Sequence, residues 1–149
     1  IEEECAAIRV EHKDIGALVT FTGLVREMDD ESSAQQEVSS LYLEHYPGMT
    51  EKNLQEIAEQ ADQKWPLLDI IIIHRIGELK VSDQIVFVGV SSMHREAAFT
   101  ACAFIMDFLK TKAAFWKKSI SSDNSGRWVE EKKADSEASK KWAEPKQKH

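Results

Sequence analysis

Residues 97–109, AAFTACAFIMDFL, constrain this chain more than any other stretch, because they carry a single charge, Asp107, and neither glycine nor proline to interrupt a helix. A helix that is apolar almost all round offers water no face, so it has to be buried in a core or against another subunit. Ser91 or Ser92 is its expected cap and Lys112 its expected end. The remainder of the chain must then supply apolar elements on several sides of it.

It does so with short strands and one amphipathic helix. Residues 16–25 (GALVTFTGLV) alternate, are rich in β-branched residues and read as a strand in which glycine relaxes one position, with Arg26 at its end. Residues 27–40 are acidic and polar without periodicity, a flexible loop able to close over a site. Residues 41–45 form a second strand, and Tyr46-Pro47-Gly48 turns the chain into a helix from near Thr50 with Leu54, Ile57, Ala58, Ala61 and Trp65 on one face. Pro66 ends that helix. Residues 69–74 (DIIIIH) read as a strand buried on both faces, residues 77–83 as a connector, and residues 84–90 (QIVFVGV) as another strand. Residues 115–120 and 127–129 are strands on either side of a turn-rich 121–126, and beyond Glu130 the chain becomes charged and helix-permissive. The sum is an α+β domain, a mixed or antiparallel sheet around a long buried helix. Residues 1–133 are expected to form one domain and residues 134–149 a charged, flexible tail.

With 149 residues, 42% of them hydrophobic and 30% charged, one self-sufficient core is the expectation. Residues 1–14 hold no apolar run like that of a signal peptide, and no uncharged run, residues 97–106 included, exceeds about half of the ~20 needed to cross a bilayer. A cytoplasmic protein without a membrane partner follows. Cys5 and Cys102 lack any paired-ligand spacing and read as reduced thiols. The formal charge of −7 hides an asymmetry: residues 1–107 hold 20 acids against 8 bases, residues 108–149 hold 6 against 11. An acidic chain with one basic region argues against nucleic acid as a partner and suits a local pocket for a small anion.

Lys110, Lys112, Lys117 and Lys118 straddle the end of the apolar helix and the next strand, with Phe115 and Trp116 between them. On one reading Lys110 and Lys112 only complement the helix dipole, worth ~0.3–1 kcal/mol, while Lys117 and Lys118 solvate a strand. On the other, a lysine against an apolar wall loses hydration, its pKa falls, and it serves as nucleophile, base or acid near neutral pH. His94-Arg95 lies in the first turn of the apolar helix, where free backbone N–H groups favour an anion and arginine adds a bidentate clamp. If no anion binds there, a cation in that place needs an acidic partner such as Glu96. Arg26 is read either as solvated or as part of a site; His45, His74 and Arg75 are read as structural. No Gly-rich phosphate loop, Cys/His metal spacing, nucleophile elbow or dinucleotide fingerprint is present, so neither a metal nor a cofactor is expected.

Taken together, VTFTGLVR, LYLEHYPGMTEK, IIHRIGEL, VFVGVSSMHREAAF and FIMDFLKTKAAFWKK resemble, in order and spacing, the signature segments of the molybdopterin synthase catalytic (large) subunit family, the MoaE-like proteins, over about residues 16–133. The resemblance implies an α/β hammerhead fold, a central homodimer, and a small ubiquitin-like subunit at each end of a heterotetramer. It also implies the reaction: the small subunit's C-terminal Gly-Gly thiocarboxylate delivers sulfur to cyclic pyranopterin monophosphate, in two rounds, with opening of the cyclic phosphate. Carried over by position, Lys110 and Lys117 are the catalytic pair, and Arg26, His94 and Arg95 bind the anionic substrate, with part of each pocket from the dimer partner. Two departures stand out. Lys132 occupies a place where relatives carry arginine, and a lysine does not reproduce bidentate phosphate binding; Ala114 replaces a proline before the FWK segment. Two other classes stay open on residues alone, a noncatalytic anion- or peptide-binding module and a stacking surface for nucleic acid around Phe115 and Trp116, which the net charge of −7 disfavours.

Overall fold

The computed structural model describes residues 1–26, 38–113, 115–121, 126–129 and 133–143. The loop expected over residues 27–40 falls outside them except for its last three positions, as do Ala114, Lys132 and most of the 121–126 turn. In chain order the elements are α1 (Glu2–Glu11), β1 (Ala17–Leu24), β2 (Val38–His45), α2 (Met49–Lys64), β3 (Asp69–His74), β4 (Gly77–Lys80), β5 (Gln84–Ser92), α3 (Arg95–Thr111), β6 (Phe115–Ser121), β7 (Gly126–Val129) and α4 (Lys133–Lys140).

Two antiparallel sheets carry the fold. The first has the order β1-β5-β3 and the second β4-β2-β6-β7. Val86, Val88 and Val90, alternate residues of the central strand β5, share one face of the first sheet. Ile57 and Ala61 of α2 and Ala101, Cys102, Phe104, Ile105 and Leu109 of α3 cover them, completing the main core. Each valine, isoleucine, leucine or phenylalanine among them contributes roughly 1.5–3 kcal/mol on leaving water, before the entropy of ordering it is subtracted. Leu41, Leu43 and Leu79 of the second sheet form a smaller core with Val25, and Ile85 packs against both clusters and joins them.

The expected face of α2 is the observed one, with Leu54, Ile57, Ala61 and Trp65 turned to the core. Gly48 precedes this helix at φ 82, a left-handed conformation that favours glycine, and its N–H donates to Glu51 Oε2 at 2.6 Å. Trp65 is extended, as a residue before proline should be.

Three expectations are corrected. Ser91 and Ser92 do not cap α3: β5 runs through both, Ser92 Oγ donates to the Pro66 carbonyl at 2.8 Å, and His94 holds the cap position. The expected burial of α3, in a core or against another subunit, is met within one chain by most of its apolar side chains, while Phe99 is 62% exposed. β3 is an edge strand rather than one buried on both faces, so Ile70 and Ile72 meet the core while Ile73 is 41% exposed. Residues 77–80, read as connector, are β4, which pairs with β2 and buries Leu79 completely. α1 adds a helix whose acidic first turn, Glu2, Glu3 and Glu4, suits its N-terminal dipole. The start of the charged C-terminal segment is tied to the core: Trp142, just after α4, meets the rings of Trp65 and Phe104 edge-on at 5.7 and 5.5 Å.

Candidate active site

α3 sets the distances between the candidate residues. Arg95 opens it and Lys110 lies in its last turn, so at 1.5 Å per residue the two stand about 22 Å apart along the axis. Only Met93 and His94 separate β5 from α3. The helix therefore folds back over β5 and β1, and Lys110 comes to the end where β5 begins. Arg26 belongs to that end too: the Val25 N–H donates to the Asp83 carbonyl at 2.8 Å, and the Ser82 N–H to the Val25 carbonyl at 2.7 Å.

Lys117 arrives from the second sheet. It sits on β6 opposite Leu43 of β2 and Val129 of β7. Phe115, two residues earlier and hence on the same face of the strand, stacks on the imidazole of His74 with centroids 3.9 Å apart and planes 21° from parallel. His74 pairs with Val86 at the start of β5. Arg26, Lys110 and Lys117 thus gather at one end of the first sheet, while His94 and Arg95 stand at the other.

The charges at the two ends differ in their compensation. Lys110 in the last turn complements the helix dipole. His94 and Arg95 do the opposite, and among the described residues neither side chain is in an ion pair, with Glu96 or any other acid. An exposed, uncompensated arginine at a helix N-terminus is electrostatically unfavourable unless an anion joins it. Arg26 is likewise exposed and outside any ion pair among the described residues.

The desolvation expected for the two lysines is not seen in the single chain, where Lys110 and Lys117 both face solvent. Lys112 lies over an aromatic ring, 4.3 Å from the centroid of Phe108. Asn53 Nδ2, reaching from α2, donates to the Lys112 carbonyl at 3.0 Å and closes the end of α3. One turn before Lys110, Asp107 Oδ2 accepts from Trp142 Nε1 at 2.7 Å and pairs with Lys141 Nζ at 2.8 Å.

The groups read as structural largely are so. His45 lies 3.9 Å from Glu51, and Arg75 donates to the Gln84 carbonyl at 3.1 Å rather than pairing with an acid. His74 Nδ1 is 2.9 Å from the Arg75 carbonyl, so Nδ1 carries the proton and donates. Burial first, then the nearby charge of Lys117, hold its pKa below the ordinary value, against the opposing effect of the Arg75 carbonyl. Its closeness to Lys117 was not legible in sequence. Burial pushes the Cys102 thiol up, which keeps it inert.

Among the described residues one group has donors convergent enough for a metal: Glu11, His12 and Asp69, with ligand atoms within 4.8 Å of one another. Asp69 pairs with Ser91 near the end of β5, away from the lysines, and its carboxylate already lies 3.2 Å from His12 Nε2.

A model of the MoaE protein family matches residues 1–112. The molybdopterin synthase catalytic subunit of Pseudomonas aeruginosa is 49% identical over 142 residues, 95% of this chain and 91% of that protein. Its counterpart in Vibrio cholerae is 53% identical over 127 residues, 85% of this chain and 81% of that protein. Among solved structures, molybdopterin cofactor biosynthesis protein E from Burkholderia multivorans superposes with a TM-score of 0.77 at 43% identity, over 95% of this chain and 88% of that one.

Proposed function

Since the chain belongs to the MoaE protein family, we propose that it is the catalytic subunit of a molybdopterin synthase, a sulfurtransferase of molybdenum cofactor biosynthesis. Its substrate is cyclic pyranopterin monophosphate. Its sulfur donor is the C-terminal Gly-Gly thiocarboxylate of a small ubiquitin-like subunit, and a catalytic subunit by that name implies such a companion. The observation that carries the reading is the convergence of Lys110 from α3, Lys117 from β6 and Arg26 from just past β1 on one end of a sheet.

Sulfur transfer from a thiocarboxylate asks little of the protein beyond orientation and charge. The sulfur arrives already attached to the partner: it bonds to a pterin side-chain carbon as a C–O bond of that carbon breaks, the oxygen leaving with the phosphate or as water, and water then hydrolyses the resulting thioester, which cleaves the C–S bond to the tail carbonyl and leaves the tail as a carboxylate. Lys110 stands at the thiocarboxylate carbonyl, either stabilising the developing oxyanion or attacking it transiently. Lys117 handles protons or the charge of the opening phosphate. Arg26 steadies the anionic substrate, and Lys132 is the ligand proposed where relatives use arginine.

His94 and Arg95 are about 22 Å along α3 from Lys110, too far for one pterin to touch both ends in a single chain. Their uncompensated charge supports a second role: in a homodimer they complete the partner's pocket with a phosphate clamp at the N-terminus of α3. The exposed Phe99 one turn into the same helix gives a homodimer apolar surface to cover.

The test is sulfur transfer to the cyclic pterin with the thiocarboxylated partner, comparing wild type with Lys110→Ala. Wild type should form the dithiolene, and Lys110→Ala should bind the partner yet turn over roughly 100-fold or more slowly, the usual cost of removing a transition-state donor. A wild-type chain that binds a competent partner and transfers no sulfur would favour the noncatalytic binding module instead.

A further inference from the structure

We infer that His74, a residue of the first sheet, is a positioning residue for Lys117 on the second: the stack of its imidazole on Phe115 sets where Lys117 stands relative to Lys110. The inference rests on the catalytic reading of the two lysines. Lys110 is carried by α3, which packs on the first sheet through Ile105 and Leu109 against Val86 and Val88. Lys117 is carried by β6, whose strand pairing runs to β2 and β7 of the second sheet. The distance between the lysines is therefore set by whatever fixes one sheet against the other at this end.

Beside Ile85, which joins the two cores, two contacts flank Lys117 itself. Before it, the rings of Phe115 and His74 lie face to face at 3.9 Å, and Phe115 is about 7 Å along the strand from Lys117, with the same facing. After it, the chain passes through β7 to α4 and is pulled back to α3 by the bonds of Trp142 and Lys141 to Asp107. The second contact lies more than twenty residues beyond Lys117 and the first only two, so the stack governs local placement.

His74 is itself held stiffly. Its backbone is in register with Val86, and Nδ1 donates to the Arg75 carbonyl at 2.9 Å, which fixes the ring's rotation. Arg75 is anchored in turn by its donation to the Gln84 carbonyl at 3.1 Å. Around the ring stand Lys117 and Phe115 from β6, Arg75 just past the end of β3, and on β2 His45, the register partner of Phe115, which faces Glu51. What this arrangement uses of His74 is a flat ring at a fixed height rather than a proton: Nδ1 is committed to the carbonyl, and the neighbouring lysine charge disfavours a second proton on Nε2.

The discriminating variants are His74→Gln, which keeps a polar side chain and loses the ring, and His74→Phe, which keeps the flat ring and loses the imidazole. With the thiocarboxylated partner and the cyclic pterin, His74→Gln should lower kcat about tenfold or more with KM for the partner unchanged, while His74→Phe should stay within about threefold of wild type. Equal turnover by wild type and His74→Gln, or no rescue by His74→Phe, overturns the inference. If His74→Gln fails to fold, His74→Phe decides: near-normal kcat is the expected result and a tenfold loss the contrary one. A readout without turnover separates this from the functional reading. Trace acetylation of Lys117 relative to Lys80, followed by mass spectrometry, should change at least about twofold in His74→Gln and return in His74→Phe. An inactive wild-type chain would refute the catalytic assignment, whereas an unchanged acetylation ratio would refute the positioning.

Discussion

At the scale of single residues, two side-chain environments make direct predictions. His74 has a folded-state pKa below its ordinary 6.5, through burial first and then the Lys117 charge. The unfolded chain thus takes up the proton more readily than the folded one. Its contribution to stability is present in full above about pH 6.5 and is lost as the pH falls from there towards the lowered folded value. Thermal melts between pH 7.5 and 5 should therefore show a steeper acid-side decline for wild type than for His74→Phe, and parallel curves would contradict the linkage. Gly16 makes a different kind of demand. A Cβ built there runs into the Met93 carbonyl, and the Gly16 N–H is already tied to the Ser92 carbonyl at 3.1 Å. Gly16→Ala should cost about 1–3 kcal/mol in urea denaturation, since backbone has to yield rather than a flexible side chain. That strain would fall on the short link between β5 and α3, and so on His94.

Among the elements, α3 and its latch carry most of the consequences. Trp142 fills a niche among Trp65, Phe104 and the Asp107 carboxylate, so Trp142→Ala should destabilise the fold by about 3 kcal/mol, the low end for a large aromatic because the ring is only partly buried. Sulfur transfer should fall further than partner binding does, because the hairpin carrying Lys117 loses its far anchor. A variant with an unaltered melting temperature would dismiss the latch. What was legible in sequence follows the range of the physics. α2 and the centre of α3 were visible because an apolar stripe is local, and β5 because its alternating valines are. β4 was hidden, since four residues show no periodicity and Gly77 looks like a breaker. The exposure of β3 was hidden because strand order is set by distant partners. The site divides in the same way: Arg26, Lys110, Lys117, His94 and Arg95 stood out as cations at element ends and through family resemblance. Their sorting to two opposite ends depends on how α3 folds back, and the approach of His74 to Lys117 depends on two sheets meeting. Neither has a local signature.

For the whole molecule, the pocket proposed across two copies has a genetic signature. Chains bearing Lys110→Ala and chains bearing Arg95→Ala should each be inactive alone. If one copy supplies Lys110 and the other Arg95, half of randomly mixed dimers are mixed, and each mixed dimer keeps one intact pocket of two. About a quarter of wild-type activity should then return on mixing, as expected for a symmetric dimer with sites at its seam. Activity that stays at the level of the separate variants would place both residues in the same copy's pocket or outside any pocket. The single helix joining these two residues also limits how the family can vary. Each residue inserted into α3 turns everything beyond it by about 100° and lengthens it by about 1.5 Å. A one-residue insertion would leave Lys110 looking away from its pocket while His94 and Arg95 stayed in theirs. Length change in this helix is therefore tolerable only near whole turns, so the spacing from His94 to Lys110 should behave as a fixed gauge while the surrounding loops are free to grow and shrink.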